Sequence, residues 1–374
     1  MMVYSRQKID DDDIQAVVEA LKSDMLTCGN RVSEFESALC ELTGAKFAVA
    51  MNSATSALHA GYIALGVNKN DEVITTPITF AATANAAIMC GANVKFADIL
   101  PNGNIDPKSI KPLINDKTKV ITAVDFGGYP ADIDEIKNLT KNSQIKIIDD
   151  ASHALGSSRD GKMVGNLADV SIFSFHAIKP ITTFEGGALL TNDENIATST
   201  KLTRSHGIIK KQAWNMDMIK LGYNYRLSDV ACALGLSQIK KLDKFINRRY
   251  EIAKIYDDAF KGSKYLKTIE IPSNIRSARH LYPVLLNSNL WCVKEDIYNE
   301  LHARGIGVQV HYKPTYQFSF YKNLYGEIRL NGAEDFYRAE LSLPCHQMMS
   351  DEDARFVVSN LNEIMEKYRS RCAI

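Results

Sequence analysis

The chain is predicted to be an α/β protein, with a large domain on a mostly parallel sheet with helices on both faces and a smaller α+β domain after it. Three observations predict this. From residue 47 to about residue 149, short and wholly apolar segments alternate with helical patterns, as buried parallel strands and their crossovers do. Near residue 228 that rhythm gives way to a long helical stretch followed by fewer strands. A length of 374 residues also exceeds what one ordinary core organises.

The elements follow in order. Ile14, Val17, Val18 and Leu21 recur at helical spacing behind the acidic turn that begins at Asp10. Val32, Phe35, Leu39 and Leu42 make a second helix, closed by Gly44. Strands are predicted at 47–51, 73–76, 94–97, 119–124 and 145–149, with helices at 54–65, 80–90, 107–114 and 132–139 between them. At 171–192 an apolar strand leads into an irregular turn carrying Lys179, and Glu185-Gly-Gly187 then turns the chain into a second apolar strand. A helical stretch from about 228 to 260 precedes strands near 282–286 and 308–311 and helices near Lys294, Ala333 and Asp351. The domain boundary is placed inside the long helical stretch, giving domains 1–245 and 246–374.

Composition narrows the function. Lys plus Arg and Asp plus Glu both number 44, so no basic field exists to hold a nucleic acid. No apolar run approaches the ~20 residues of a membrane span. The first residues lack the apolar core of a secretory leader. The seven cysteines are scattered, with neither zinc-site spacing nor the look of a disulfide framework. A cytoplasmic protein without a metal is expected.

Chemistry concentrates at predicted strand ends. Lys179 lies among apolar residues and glycines, where a dry surrounding would disfavour the ammonium and leave a nucleophilic amine. Met51-Asn-Ser-Ala-Thr-Ser-Ala57 turns a strand into a helix, so its backbone N–H groups can hold an anion; Ser53 and Thr55 are equally readable as plain caps. Asp150 ends a strand in the crevice where α/β proteins bind ligands, and could keep a pyridinium protonated or merely cap a loop. His153 follows it. Phe80 is a stacking ring or a core residue, and Ser174, five residues before Lys179, could hold a phosphate oxygen.

In this order the motifs resemble the DegT/DnrJ/EryC1/StrS family of sugar aminotransferases. The resemblance is carried by Leu26-Thr27-x-Gly29, Asn52-Ser-Ala-Thr-Ser56, Thr76-Pro-Ile-Thr-Phe80 and Asp149-Asp-Ala-Ser-His153. It continues through Phe173-Ser-Phe-His-x-x-Lys179, Glu185-Gly-Gly187, Gly222-Tyr-Asn-Tyr-Arg226 and Val310-His-Tyr-x-Pro314, and so covers nearly the whole chain. It implies the aspartate-aminotransferase type of fold (fold type I), with a seven-stranded-type sheet, and pyridoxal 5′-phosphate as cofactor. Lys179 would attach the cofactor and carry protons, Asp150 would pair with its ring nitrogen, and Phe80 would stack on the ring. Ala54, Thr55 and Ser174 would hold its phosphate, and His153 would lie near its O3′. Asn224 would reach the partner subunit's phosphate in a homodimer whose active site is shared across the interface.

Segments around Lys179, His206, His311 and His346 are similar to members of the family that serve pseudaminic acid biosynthesis. This implies transfer of the amino group of L-glutamate to C4 of UDP-2-acetamido-2,6-dideoxy-β-L-arabino-hexos-4-ulose, a UDP-linked 4-keto sugar, with 2-oxoglutarate as the other product. Substrate contacts would map to Tyr4, to Asp24, Met25, Leu26 and Thr27, and to His311, Tyr312, Lys313 and Pro314. For Tyr4 and His311, a packed tyrosine and a packed histidine stand as the alternative readings. Arg226 and Lys313 are candidates for the donor's carboxylates. Cys28 and His153 both stand where relatives often carry glutamine. The D-gluco 4-keto epimer is the alternative substrate, and a cofactor-binding sensor without turnover the alternative class.

Overall fold

Seven strands form the central sheet of the computed structural model, which describes residues 2–369. They are β1 (Phe47–Met51), β2 (Glu72–Thr75), β3 (Asn93–Phe96), β4 (Thr118–Val124), β5 (Lys146–Asp150), β6 (Val170–Ser174) and β7 (Gly187–Thr191). Their spatial order is β1-β7-β6-β5-β4-β2-β3. β2 to β6 pair parallel, and β7 runs antiparallel to both of its neighbours.

Strand alternation divides the apolar side chains between two faces. Ala48, Ala50, Ile147, Phe173, Ala188 and Leu190 lie in one core. On that side pack α2 (Asn30–Thr43), α6 (Ile133–Thr140), α8 (Asp229–Ile239) and the start of α9 (Leu242–Phe260). Val49, Met51, Ile148, Val170, Ile172 and Leu189 lie in the other core, against α3 (Ala54–Ala64), α4 (Ala82–Met89) and α7 (Glu194–Arg204). α1 (Asp11–Leu21) carries the Asp10 cap and lies on α8, and α5 is short (Pro107–Ile110).

α9 belongs to two cores. Leu242 and Ile246 join the large one, whereas Ile252, Ala253, Tyr256 and Phe260 join the C-terminal one. Between them Arg249 is fully buried, its Nη1 donating to the carbonyls of Arg279, His280 and Cys345 at 2.6–3.2 Å. Beyond the hairpin β8 (Ile208–Gln212) and β9 (Asn215–Met218), the C-terminal part is a three-stranded antiparallel sheet. Its strands are β10 (Leu266–Thr268), β11 (Tyr282–Leu286) and β12 (Glu340–Leu343). Its helices are α10 (Lys294–Ala303), α11 (Ser319–Tyr325), α12 (Asn331–Ala339) and α13 (Asp351–Tyr368). Met2 packs on this core and its backbone bonds Gly305 and Gly307.

Four expectations are corrected. The helical stretch from 228 to 260 is two helices, broken at Lys240 and Lys241, where Lys241 turns its ammonium to Asp10 and Asp13. The helix expected at 107–114 passes into a 3₁₀ turn at Lys111–Leu113, because Pro112 has no N–H to continue it. Residues 308–311 form no strand beyond one bridge, Gln309 to Ser342. Past that bridge the next two backbone donors go to side chains: Val310 N–H to its neighbour Gln309 and His311 N–H to Glu340. Phe80 precedes α4 rather than lying within it. Of the cysteines, Cys28, Cys40, Cys90, Cys232 and Cys345 are free, Cys292 is disulfide-bonded, and Cys372 lies outside the described residues.

Candidate active site

The carboxyl ends of β4, β5 and β6 open into a cavity of about 510 Å³. Asp150 and Ser174 are the last residues of their strands, which puts both side chains at this edge. Thr83 Oγ1 donates to Asp150 Oδ2 at 2.7 Å. Ser152 Oγ donates to Oδ1 at 2.6 Å, reinforced by its N–H at 3.3 Å. The carboxylate is therefore fixed in orientation.

Lys179 stands in the turn between β6 and β7, held by its N–H to the His176 carbonyl and by Ser5 Oγ on the adjacent Ile178 carbonyl at 3.0 Å. Burial lowers its amine to about 8, with the Asp150 charge opposing part of that shift. As pH rises through that value the neutral amine accumulates, whereas an exposed lysine stays an ammonium far longer. The rate at which added pyridoxal phosphate combines with cofactor-free protein is expected to rise with pH and reach half its plateau near pH 8. Stopped-flow absorbance checks it.

At the third side of the cavity α3 begins. Ser53 caps it through Ser56 N–H, and Ala54 and Thr55 present backbone N–H groups at the helix N-terminus with no intrahelical partner. β7 approaches this turn so closely that a Cβ on Gly187 would lie 2.4 Å from Ala54 N. The cradle therefore depends on glycine at that position.

The opposite wall contains histidines. His153 Nδ1 accepts the Gly127 N–H and its Nε2 faces the Tyr312 hydroxyl, both at 3.3 Å. Burial first, then the Lys179 charge, keep its pKa well below the usual value, so it is neutral. Both ring nitrogens are engaged, and the ring itself lines the cavity. His311 and Tyr4 complete the wall, their rings 5.2 Å apart.

The cavity thus brings together Tyr4, Ala54, Thr55, Phe80, Asp150, His153, Ser174, Lys179, His311 and Tyr312. Other expected site residues stand outside it. Asp24, Met25, Leu26 and Thr27 are exposed beside the start of α8, where Leu26 accepts the Asp229 N–H. Asn224 is exposed, its carbonyl taking the Asn52 amide. Lys313 is turned over the Phe318 ring, and Pro314 is buried. Arg226 bridges to Met51 without lining the cavity. Thr83 and Ser152 were missed by the sequence reading. Ser152 could have been found as a hydroxyl two residues past Asp150, a spacing that favours a local turn bond.

A sheet-edge lysine of lowered basicity, a fixed carboxylate and an anion-binding helix start together define a transferase site built for a phosphorylated carbonyl cofactor. Residues 7–362 match the DegT/DnrJ/EryC1/StrS aminotransferase family, and the chain belongs to that family. It is 56% identical over 372 residues to a Campylobacter jejuni protein named UDP-4-amino-4,6-dideoxy-N-acetyl-beta-L-altrosamine transaminase, covering 99% of both chains. Among solved structures it superposes with a TM-score of 0.95 on Helicobacter pylori PseC, described as an aminotransferase involved in pseudoaminic acid biosynthesis; identity is 42% and coverage 98% and 99%. A putative sugar aminotransferase from Streptococcus pneumoniae, solved in its PLP-form, matches with a TM-score of 0.93 at 29% identity, covering 97% and 98%.

Proposed function

We propose that the protein uses pyridoxal phosphate to transfer the amino group of L-glutamate to C4 of UDP-2-acetamido-2,6-dideoxy-β-L-arabino-hexos-4-ulose, giving UDP-4-amino-4,6-dideoxy-N-acetyl-β-L-altrosamine. The observation that carries the reaction class is the meeting of Lys179, Asp150 and the α3 cradle in one cavity. The substrate rests on the full-length identity with the Campylobacter protein of that name.

The residues fit the cofactor. The cavity pairs an amine of lowered basicity with a buried carboxylate, and the Gly187 approach leaves the α3 N-terminus uncovered. When bound, the cofactor supplies an electron sink for the carbanion at the amino-bearing carbon. Lys179 would hold the cofactor through its amine and would move a proton on and off the substrate carbon. Asp150 would pair with its ring nitrogen, and Phe80 would lie against the ring. Ala54, Thr55 and Ser174 would hold its phosphate. Tyr4, His311 and Tyr312 face the sugar, and the reaction alternates between the two substrates.

The protein works as a homodimer with a shared site. Trp214, Met216, Met218, Ile219 and Leu221, on and after the β8–β9 hairpin, expose apolar side chains that a second copy would cover, and Phe80 at the cavity is 65% exposed. In this arrangement Asn224 and residues 24–27 serve the neighbouring subunit's cavity. Asn224→Ala is expected to lose cofactor on dialysis. Co-refolded with Lys179→Ala subunits, it should recover turnover at limiting cofactor, and mixed dimers as inactive as the parents would end the shared-site reading. Among the described residues no helix is long and apolar enough to cross a membrane.

The decisive experiment follows the visible absorption of cofactor-loaded protein. L-glutamate should bleach it and the β-L-arabino 4-keto sugar nucleotide should restore it. Restoration only by the D-gluco epimer would reassign the substrate, and a spectrum indifferent to amino donors would overturn the aminotransferase reading.

A further inference from the structure

Behind the cavity wall, His311 enters a closed ring of hydrogen bonds. Its Nδ1 lies 2.8 Å from Ser342 Oγ, which contacts Glu340 Oε1 at 2.6 Å, and Glu340 Oε2 takes the His311 backbone N–H at 2.7 Å. Glu340 and Ser342 are fully buried in β12. Lys294 acts on Glu340 from α10 and also donates to the Tyr337 carbonyl.

Ser342 has one hydroxyl proton and so can donate in only one direction. With Glu340 ionised, the hydroxyl donates to the carboxylate, its oxygen accepts Nδ1–H, and Nε2 keeps a lone pair. With Glu340 protonated, the acid donates to Ser342, the hydroxyl turns to Nδ1, and Nε2 carries the proton. Glu340 Oε2 serves the backbone N–H in both states. No described residue hydrogen-bonds Nε2, and the His311 ring lines the cavity.

The geometry points to Glu340 as a positioning residue that sets, through Ser342, which ring nitrogen of His311 bears the proton, and thereby whether His311 offers the sugar nucleotide a donor or an acceptor. The second clause rests on the proposed substrate; the first does not. Burial foremost, then Lys179, push His311 down to about 3, so the ring is neutral and its tautomer is what remains to be chosen. Burial raises Glu340 well above the usual carboxyl range against the opposing pull of Ser342 and Lys294, and burial likewise lowers the Lys294 amine beside it, so the pair gains and loses its protons together. Lys294 faces the carboxyl, while Lys179, Tyr4, Tyr312, His153 and His280 face or influence the ring.

Nitrogen-15 NMR of histidine-labelled, substrate-free protein tests it, with His311→Asn assigning the resonances. The wild type should pass from an Nε2–H to an Nδ1–H imidazole as pH rises through the ionisation of Glu340. Glu340→Gln, whose amide donates to Ser342 while its oxygen keeps the backbone bond, should hold Nε2–H throughout. Lys294→Met should move the wild-type change to higher pH. A tautomer indifferent both to pH and to Glu340→Gln overturns the proposal, and should that variant not fold, an unmoved midpoint in Lys294→Met does so. The spectra contain no sugar, so a wrong substrate leaves this readout intact. Where the substrate is right, Glu340→Gln should change KM for the sugar nucleotide about tenfold above the pH at which wild-type Glu340 ionises, where its tautomer differs from wild type, and leave KM for glutamate nearly unchanged.

Discussion

Lys179→Ala is expected to lower kcat by at least about 10⁴-fold, because the proposed mechanism makes the residue both the attachment point and the proton carrier. Loss of the visible band of the cofactor-loaded protein should accompany it. The cavity end of the turn is held by Ser5 on the Ile178 carbonyl and by the Lys179 N–H, neither of which involves the amine, so the fold should survive. Unchanged far-UV circular dichroism checks this. Lys179→Arg should fail equally, since a guanidinium stays protonated and cannot act as the nucleophile. Normal turnover in Lys179→Ala would remove the central claim.

Asp150→Asn is expected to cost about 10²- to 10³-fold in kcat with the cofactor still bound, because an amide cannot hold the ring nitrogen's proton as a carboxylate does. Two further consequences separate this from general damage. Thr83 and Ser152 can both still bond the amide oxygen or reorient, so the strand end should keep its structure. Removing the Asp150 charge also removes the one influence that raises the Lys179 amine, so the pH profile for cofactor association should move below about 8. A full loss of activity with an unshifted profile would mean that Asp150 serves only as a turn.

How much of this was legible depended on the range of the contacts involved. Asp150, Ser174, Lys179 and the Ala54–Thr55 turn were readable because each sits where a wholly apolar strand stops, a local signal that survives without knowing what lies beside it. Thr83 was not readable, because its meeting with Asp150 depends on the packing of α4 over the sheet, 67 residues away in sequence. Glu340 and Ser342 look like ordinary alternating residues of a strand; only the return of residues 309–311 across β12 gives them a partner. The expectation of a strand there failed for the same reason, since side chains take the Val310 and His311 backbone donors. Residues 24–27 and Asn224 were marked by resemblance alone, and one subunit does not bring them to its cavity.

The first residues of the chain are tied almost entirely to late ones. Met2 bonds Gly305 and Gly307, the Tyr4 carbonyl takes the Cys345 N–H, and the Arg6 carbonyl takes the Gln347 amide, while Ser5 braces the Lys179 turn. During synthesis residues 2–6 must therefore wait, without these partners, until the segments around residues 305 and 345–347 have left the ribosome. The sheet and the α3 cradle can form long before that. The nascent chain consequently assembles its lysine-bearing sheet early and acquires the Tyr4 wall of the cavity late, so a chain stalled before residue 345 would have Lys179 in place without the ties that hold the residues flanking Ser5 beside its turn.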